Sequence, residues 1–380
     1  MVLFLGFHGL LFIYLLFRFV LPLRLSRPAK IGTGLLVLLV SQHYLLRMAL
    51  GQMSSPEAPR WSIILEGWSF ATLIGIFVLT LLYDLSLLGR RLIARRRKAA
   101  PGPDASFSPE RRAALFTMVA AGTAVYGLSK ALELPEIRST DMVLARLPKG
   151  LDGLTVVQLT DIHVNPLFPE RWVADLVDRV RSSKPDLIFL TGDLVDGTPG
   201  LRAKDIAPLA RLRAEHGIYG CTGNHEYYSG FRDWMPLFAS FGFTMLHNSH
   251  ALLAIDGHPL AIAGVTDRVA NGFGLPLPDP AKALAGLPDG IVRIMLEHRP
   301  DGAAGNAALG VDLQMSGHTH GGHALGLDQL VARFNAGFVH GQYIVGKMPL
   351  YVSSGAGLWN GFPVRLGVPS EITRIVLRSA

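Results

Sequence analysis

Hydrophobic residues are distributed in two different ways along this chain. In the first third they form long apolar runs, at 1–23, 31–50, 63–88 and 113–132. An α-helix rises ~1.5 Å per residue, so about 20 residues cross the ~30 Å hydrocarbon core of a bilayer. The pattern therefore predicts four membrane-spanning helices. The second run is the weakest candidate, because Gln42, His43 and Arg47 interrupt it.

Beyond about residue 141, short apolar runs alternate with amphipathic stretches. The runs that predict strands are 154–159, 186–191, 217–222, 260–265, 291–296, 311–316, 349–353 and 373–378. The stretches that predict helices between the early strands are 169–184, 203–216 and 230–241. Alternating strands and amphipathic helices are typical of an α/β domain in which helices cover the sheet.

The charge of the chain changes at the same place. Residues 1–140 carry 16 Lys and Arg against 7 Asp and Glu, whereas the remainder carries 20 against 22. Basic clusters at 18–30 and 90–98 flank a loop, 51–62, whose only basic residue is Arg60. The positive-inside rule places both clusters in the cytoplasm and the loop outside. Because the excess positive charge belongs to the membrane part, we expect no nucleic-acid partner.

The fourth apolar run decides on which side of the membrane the rest of the chain lies. If 113–132 crosses the bilayer, the C-terminal domain is periplasmic or extracellular; if it lies on the surface, the domain is cytoplasmic. Arg111 and Arg112 precede the run. They are either part of a twin-arginine export signal or two further positive-inside residues, and both alternatives put the domain outside. We expect a multi-pass membrane protein with a non-cytoplasmic C-terminal domain.

A polar, Pro-rich stretch at 99–110 predicts a linker. The expected organisation has three parts. They are a multi-pass transmembrane region, a linker with the fourth apolar segment, and a C-terminal domain, at 1–98, 99–140 and 141–380.

Polar side chains suited to metal binding or proton transfer follow five of the predicted strands. They are Asp161, His163, Asp193, Asp196, Asn224, His225, Glu226, His298, His318 and His320. In open α/β sheets, ligands bind beyond the carboxyl ends of the strands, so these side chains can converge although they are distant in sequence. Two of the strands end in an i, i+2 pair, and in extended backbone such a pair aims both side chains to one side.

These side chains offer nitrogen and oxygen donors without a thiolate. The only cysteine, Cys221, excludes a cysteine-rich zinc cage. The donor set suits Mn, Fe or Zn better than a structural zinc site or a calcium loop, and it is large enough for two metal ions. Two ions ~3.5–4 Å apart need a bridging carboxylate and together clamp the attacking and leaving oxygens of a displacement.

Five motifs in this order resemble the calcineurin-like metallophosphoesterase superfamily: D-x-H, G-D-x-x-D, G-N-H-E, an isolated His after a strand, and G-H-T-H. The resemblance covers about 150–380. The motif SGHTHGG and the C-terminal segment 357–373 resemble one branch of this superfamily more closely. That branch contains membrane-anchored phosphodiesterases and multi-pass transmembrane proteins with a metallophosphoesterase domain. The resemblance implies an α/β sandwich of two packed sheets flanked by helices, preceded here by an α-helical transmembrane region.

The resemblance also implies roles for individual residues. By this resemblance, the ligands of a first divalent ion would be Asp161, His163 and His320. The ligands of a second divalent ion would be Asn224, His298 and His318. Asp193 would bridge the two ions, and a hydroxide made acidic by them would attack phosphorus. His225 would protonate the leaving alkoxide, a role that suits an imidazole with an ordinary pKa of ~6.5.

His323 departs from the pattern of this branch, in which Gln usually follows the two glycines. We leave open whether it contacts substrate. Stretches rich in glycine and aromatic residues, 268–279 and 334–362, flank the metal motifs, and the second contains Trp359. They form either an apolar rim beside the metals, which would contact substrate, or the core of the final strands.

The sequence therefore predicts a membrane-anchored, dinuclear-metal phosphoesterase acting on a phosphodiester or pyrophosphate. Only about 20 residues separate the fourth apolar run from the first predicted strand, so we expect an amphipathic substrate such as a phospholipid, a lipid-linked pyrophosphate or a sugar nucleotide. The partners are the lipid bilayer and this substrate. The alternatives are a phosphomonoesterase and a non-enzymatic sensor or scaffold. A chain that had lost activity should also have lost a ligand, and every ligand position is filled.

Overall fold

The computed structural model describes residues 2–52, 57–96 and 108–380. The chain forms two compact units, Met1–Met53 with Trp61–Ser129 and Ser54–Arg60 with Lys130–Ala380. Most of the predicted linker at 99–110 lies outside the described residues.

The first unit is helical. Its helices are α1 (Val2–Leu15, continued by a π-helical turn, Leu16–Val20), α2 (Arg27–Ser41), α3 (His43–Ala49), α4 (Arg60–Arg96) and α5 (Pro109–Leu132). By length and composition, α4 and α5 can each cross a membrane. The second predicted span is the pair α2 and α3, which is bent by 54°. The first is a shorter apolar helix, Gly6–Val20. Among the described residues there are thus two candidate spans, or three if the bent pair is one span.

The bend between α2 and α3 is stabilised by polar groups. The Gln42 side chain donates to the carbonyl of His8 (2.9 Å), and the His8 ring nitrogen Nδ1 bonds the carbonyl of Ser41 (2.6 Å). The bond from His8 reaches a backbone carbonyl at the end of α2, where helical hydrogen bonding is interrupted. The bend therefore explains why polar residues interrupt the second apolar run.

The second unit contains two six-stranded sheets. The strands are β1 (Glu136–Leu144), β2 (Thr155–Leu159), β3 (Leu187–Thr191), β4 (Ile218–Cys221), β5 (Thr244–Met245), β6 (Ser249–Ile255), β7 (His258–Gly264), β8 (Val292–Leu296), β9 (Leu313–Ser316), β10 (Gly341–Val345), β11 (Met348–Val352) and β12 (Glu371–Ser379). The first sheet has the order β1-β12-β2-β3-β4-β5, and the second has the order β10-β11-β9-β8-β7-β6.

Helices flank the sheets. They are α6 (Glu170–Ser182), α7 (Pro199–Ile206), α8 (Asn224–Tyr228), α9 (Phe231–Ser240), α10 (Pro280–Leu284), α11 (Ala303–Ala308) and α12 (Leu327–Phe334). The predicted helix at 203–216 is shorter than expected: α7 gives way to a 3-10 turn, Ala207–Arg211. Pro208 lies in this turn and lacks the N–H that would continue the α-helix.

The two sheets share one hydrophobic core. Val156 and Phe189 from the first sheet pack in one buried cluster with Ile294 and Leu313 from the second. Because side chains alternate along a strand, Val157 points to the other face of its sheet, where it packs in a second cluster with residues of α6 and α9. Both faces of the central strands are therefore buried, and this is why they appear in the sequence as continuous apolar runs. The expected sandwich of two packed sheets flanked by helices is confirmed.

Candidate metal centre

Parallel strands bring the predicted site residues to the same end of the two sheets. β2, β3 and β4 are neighbours in parallel register, and so are β7, β8 and β9. The loops that follow β2, β3, β4, β8 and β9 carry the expected side chains. These side chains are buried, with His318 partly so: Asp161, His163, Asp193, Asn224, His298, His318 and His320.

The backbone is strained where these side chains leave the strands. The predicted ligands with positive φ are Asp161 (51°), His163 (47°), Asp193 (54°), His318 (73°) and His320 (49°). The left-handed conformation costs an L-residue about 1–2 kcal/mol. Residues held in such conformations concentrate at functional sites.

A first group of ligand atoms comes from Asp161, His163 and His320, all within 4.8 Å of one another. The Nε2 atoms of the two histidines are 3.2 Å apart. His320 Nε2 lies 3.4 Å from Asp161 Oδ1, and His163 Nε2 lies 3.8 Å from the same oxygen. Two imidazole nitrogens and a carboxylate oxygen therefore meet at one point.

A second group comes from Asp193, His298 and His318, again within 4.8 Å. Asp193 Oδ2 lies 3.1 Å from His298 Nε2 and 3.7 Å from His163 Nε2, which belongs to the first group. Asp193 thus lies between the two groups, where a bridging carboxylate is needed.

A buried polar atom without a hydrogen-bond partner is consistent with a metal site here. Among the described residues, no hydrogen bond reaches Asp161 Oδ1. An unpaired buried polar atom costs about 1–3 kcal/mol. The backbone also approaches the carboxylates closely: a Cβ atom on Gly223 would lie 2.2 Å from Asp193 Oδ1, and one on Gly317 would lie 2.3 Å from Asp161 Oδ2. The residues present therefore fit divalent metal ions bound by nitrogen and oxygen.

Asp196 connects the first group to His225. Its Oδ1 lies 2.6 Å from His225 Nδ1 and 3.0 Å from His163 Nδ1. Burial alone would raise the pKa of Asp196, but the two histidines lower it to about 2. Burial would likewise lower the pKa of His225, yet the carboxylates of Asp193 and Asp196 raise it to about 9. The contact with Asp196 also orients the His225 ring through Nδ1.

Glu226 holds the loop that carries Asp193. Its carboxylate accepts hydrogen bonds from the backbone N–H groups of Asp193 (2.9 Å), Leu194 (2.6 Å) and Gly223 (2.7 Å). These bonds tie the end of β3 to the start of α8. Glu226 thus acts on the site through the backbone.

His323 and Trp359 lie at the edges of this group. The His323 ring is 5.1 Å from the His320 ring and 5.7 Å from the Phe362 ring. Burial, reinforced by the charge of Arg365, lowers the pKa of His323 to about 3, so this ring is neutral. The partly exposed Trp359 ring lies 6.5 Å from the His225 ring.

The sequence interpretation missed two arginines. Arg365 is 1% exposed, and its guanidinium donates to the carbonyls of Ser354 (2.8 Å), Gly357 (2.9 Å), His320 (3.3 Å), Gly355 (3.3 Å) and Val368 (3.4 Å). A Cβ on Gly355 would lie 2.7 Å from Asp161 Cβ, so Arg365 joins the loops that position Asp161 and His320. In the sequence, Arg365 is the only charged residue in the stretch 358–370, and this isolated charge is the feature by which it could have been noticed. Arg299 directly follows His298 and contacts the second group.

Among solved structures, the chain resembles the calcineurin-like phosphoesterase YfkN from Bacillus subtilis, with 18% identity and a TM-score of 0.37 over 55% of this chain and 82% of that one. It also resembles a 5'-nucleotidase precursor from Thermus thermophilus, with 20% identity and a TM-score of 0.33 over 44% of this chain. The chain covers 42% of that nucleotidase.

Sequence comparisons agree with the geometry. Residues 154–322 match the family model of the calcineurin-like phosphoesterases. The chain is 33% identical to the transmembrane protein with metallophosphoesterase domain of Danio rerio, over 85% of this chain and 75% of that protein. It is 31% identical to the uncharacterized metallophosphoesterase YkuE of Bacillus subtilis, over 70% of this chain and 95% of that protein. The chain is a membrane protein that belongs to the calcineurin-like phosphoesterase family.

Proposed function

We propose that this protein is a membrane-anchored phosphoesterase that uses two divalent metal ions, Mn, Fe or Zn, to hydrolyse a phosphodiester or pyrophosphate. One observation carries the proposal: nitrogen and oxygen donors from four strand ends form two groups, and Asp193 of the second group also lies 3.7 Å from His163 of the first. Divalent ions bound there supply an activated water and stabilise the charge that develops on the attacking and leaving oxygens.

In this proposal the side chains have separate tasks. Asp161, His163 and His320 would hold the first ion. Asn224, His298 and His318 would hold the second, and Asp193 would bridge the two. His225 gives its proton to the leaving oxygen, and its contact with Asp196 (2.6 Å) supports this role because the contact orients the ring and favours its protonated form.

Two alternatives remain: a phosphomonoesterase, and a sensor or scaffold without activity. The full-length chain in detergent, loaded in turn with Mn, Zn, Fe and Mg, separates them. We expect metal-dependent turnover of an aryl phosphodiester that exceeds turnover of the matched monoester. The reverse preference supports the monoesterase, and no turnover with any metal supports the scaffold.

We further propose an amphipathic phosphoester as the substrate. The helix α12 begins shortly after His323, at Leu327, and none of its residues is buried. Leu330 and Phe334 on this helix are 54% and 67% exposed, and the neighbouring Leu325 is 72% exposed. Exposed apolar patches on soluble domains usually mark contact with a partner, a ligand or a membrane. An acyl chain is an apolar ligand suited to this surface.

Part of the expected rim belongs to the core instead. Leu358 is fully buried, and Phe338 and Tyr343 pack against a buried cluster of the second sheet. The residues of 334–362 that support the substrate proposal are therefore Phe334, Trp359 and Phe362, which keep exposed surface.

The substrate class predicts a kinetic difference. Turnover of a dispersed lipid phosphoester should exceed that of its short-chain analogue, and Trp359→Ala should reduce this preference about tenfold, the value of one buried aromatic contact. Leu252→Ala is the control, because Leu252 is an exposed apolar residue (56%) of the edge strand β6. Equal wild-type rates for both substrates would instead favour a soluble phosphodiester.

We also propose that the catalytic domain, 141–380, lies on the non-cytoplasmic side after four membrane crossings. The basic clusters at 18–30 and 90–98 support this orientation. A reporter enzyme that works only outside the cytoplasm should be active when fused after Ala380 and inactive when fused after Lys98. A cytoplasmic reporter that is active after Ala380 would mean that the segment 113–132 does not cross.

A further inference from the structure

Arg299 lies within the second group of ligand atoms, although no role described above involves it. Its Nε donates to Asp267 Oδ2 (2.7 Å). Its Nη1 donates to His318 Nε2 (2.6 Å), and its Nη2 donates to Asn224 Oδ1 (3.0 Å). The Arg299 side chain is 14% exposed, and that of Asp267 is fully buried. The guanidinium is therefore anchored at one nitrogen and directed at the site with the other two.

The two nitrogens directed at the site contact His318 and Asn224, two residues that the proposed function assigns to the second metal ion. An imidazole nitrogen has one lone pair, so His318 Nε2 accepts a hydrogen bond from Arg299 or binds a metal ion, but not both. A metal ion on Asn224 Oδ1 would also repel the guanidinium bonded to the same oxygen. An ion bound at His318 Nε2 would therefore displace Nη1, and one bound at Asn224 Oδ1 would weaken the bond of Nη2, whereas the bond to Asp267 is unaffected.

A phosphoryl group supplies the acceptors that the guanidinium then needs. Buried N–H groups without acceptors are costly, and phosphate oxygens match the planar fork of an arginine. Arg299 lines a cavity of about 220 Å³ together with His298, which belongs to the second group. The carboxylates of Asp267, Glu297 and Asp301 also line it, and two of them are paired, Asp267 with Arg299 and Asp301 with Arg268.

Arg268 lines the same cavity but is less suited to this task. It is paired with Asp301 at 2.8 Å, and its side chain is 51% exposed. Water screens an exposed charge, whereas a buried guanidinium with a fixed anchor loses little freedom when it binds phosphate.

We infer that Arg299 is a substrate-contacting residue that binds a non-bridging phosphoryl oxygen through the two nitrogens that contact Asn224 and His318 in this structure. The same side chain competes with the second metal ion for its ligands. This inference rests on the proposed function. It gives Arg299 opposite effects on two ligands: it weakens metal binding and strengthens phosphate binding.

The test uses the full-length chain in detergent and compares wild type with Arg299→Met and Arg299→Lys. Calorimetric titration with Mn²⁺ gives the two metal affinities, and titration of the Mn²⁺-loaded chain with inorganic phosphate gives the phosphate affinity. For Arg299→Met we expect the second Mn²⁺ to bind more tightly and phosphate to bind about 10- to 100-fold more weakly, the range for a charge-assisted hydrogen bond. The Mn²⁺ and phosphate affinities of Arg299→Lys should lie between those of wild type and Arg299→Met, because an ammonium keeps the charge but not the planar fork of the guanidinium.

Arg293→Met is the matched control. Arg293 lies near the opposite end of the strand that precedes Arg299, and its guanidinium contacts the carbonyls of Leu309 and Pro288, both at 3.5 Å. Both affinities should stay at their wild-type values in this variant.

The outcomes separate the possible explanations. If Arg299→Met weakens both Mn²⁺ and phosphate binding, Arg299 is structural and the inference is wrong. Unchanged phosphate affinity in a variant that binds two Mn²⁺ ions also overturns the inference but leaves the proposed function intact. A wild-type chain that binds none of the three candidate metals, Mn, Fe and Zn, overturns the proposed function and this inference with it.

Discussion

Asp193→Ala is expected to remove at least one of two bound metal ions and to abolish measurable turnover. Asp193 Oδ2 lies 3.1 Å from His298 Nε2 and 3.7 Å from His163 Nε2, so one substitution removes a ligand from both groups. A ligand that binds only the folded state stabilises it by about 2.7 kcal/mol at a concentration of about 100 Kd. The variant should lose most of this metal-induced stabilisation. Elemental analysis for metals per chain and thermal unfolding with and without added metal measure the two effects.

The variant should nevertheless fold. The loop that carries Asp193 keeps its backbone hydrogen bonds to the Glu226 carboxylate, and these bonds do not involve the Asp193 side chain. Asp186→Ala is the matched control: Asp186 precedes the same strand, at its opposite end, and bonds the backbone N–H and the hydroxyl of Thr155, both at 2.7 Å. This control should keep its metal. Two ions retained in Asp193→Ala would show that Asp193 is not the bridge.

His225→Ala is expected to lower turnover by ~10²–10⁴, the usual contribution of a general acid, while metal content is unchanged. His225 is held by Asp196 at 2.6 Å, and the carboxylates around it keep its pKa at about 9 despite burial. The loss should be large for an alkyl leaving group, which needs a proton. It should be smaller for a phenolic leaving group, which leaves more readily as an anion.

Metal analysis distinguishes this role from metal binding. His225 also lies within 4.8 Å of ligand atoms of His163 and Asp193, so a direct metal role would appear as metal lost from the variant. His340→Ala, which changes an exposed histidine, is the control and should behave as wild type. Normal turnover of an alkyl phosphodiester by His225→Ala would contradict the general-acid role.

The local pattern of the sequence was sufficient to predict the central strands and the convergence of polar side chains at their ends. β2, β3 and β8 are buried on nearly every residue, so they appear as apolar runs without help from distant parts of the chain. The polar motifs follow these runs directly. Because parallel strands end at one edge, their convergence could be expected before any pairing was known. Hydropathy alone likewise indicated the long apolar helices, since length and composition define a candidate span.

The tertiary structure was needed for everything that depends on which surfaces meet. The strands that were not predicted are β1, β5, β6 and β10. Each of them lies at a sheet edge, where many side chains stay exposed, and β5 has only two residues. In β1, Glu136 pairs with Glu371 in parallel register. No local pattern specifies a partner so far along the chain.

The site residues show the same difference between what the local sequence predicts and what only the tertiary structure determines. Asp161 and His320 were recognisable because their motifs are short and follow strands. The importance of Arg299 and Arg365 depends on acceptors contributed by other loops, such as Asn224 Oδ1 and the carbonyl of Ser354. A side chain's own sequence neighbourhood determines whether it can bind a metal, but its hydrogen-bond partners are determined only when the folded chain brings distant segments into contact.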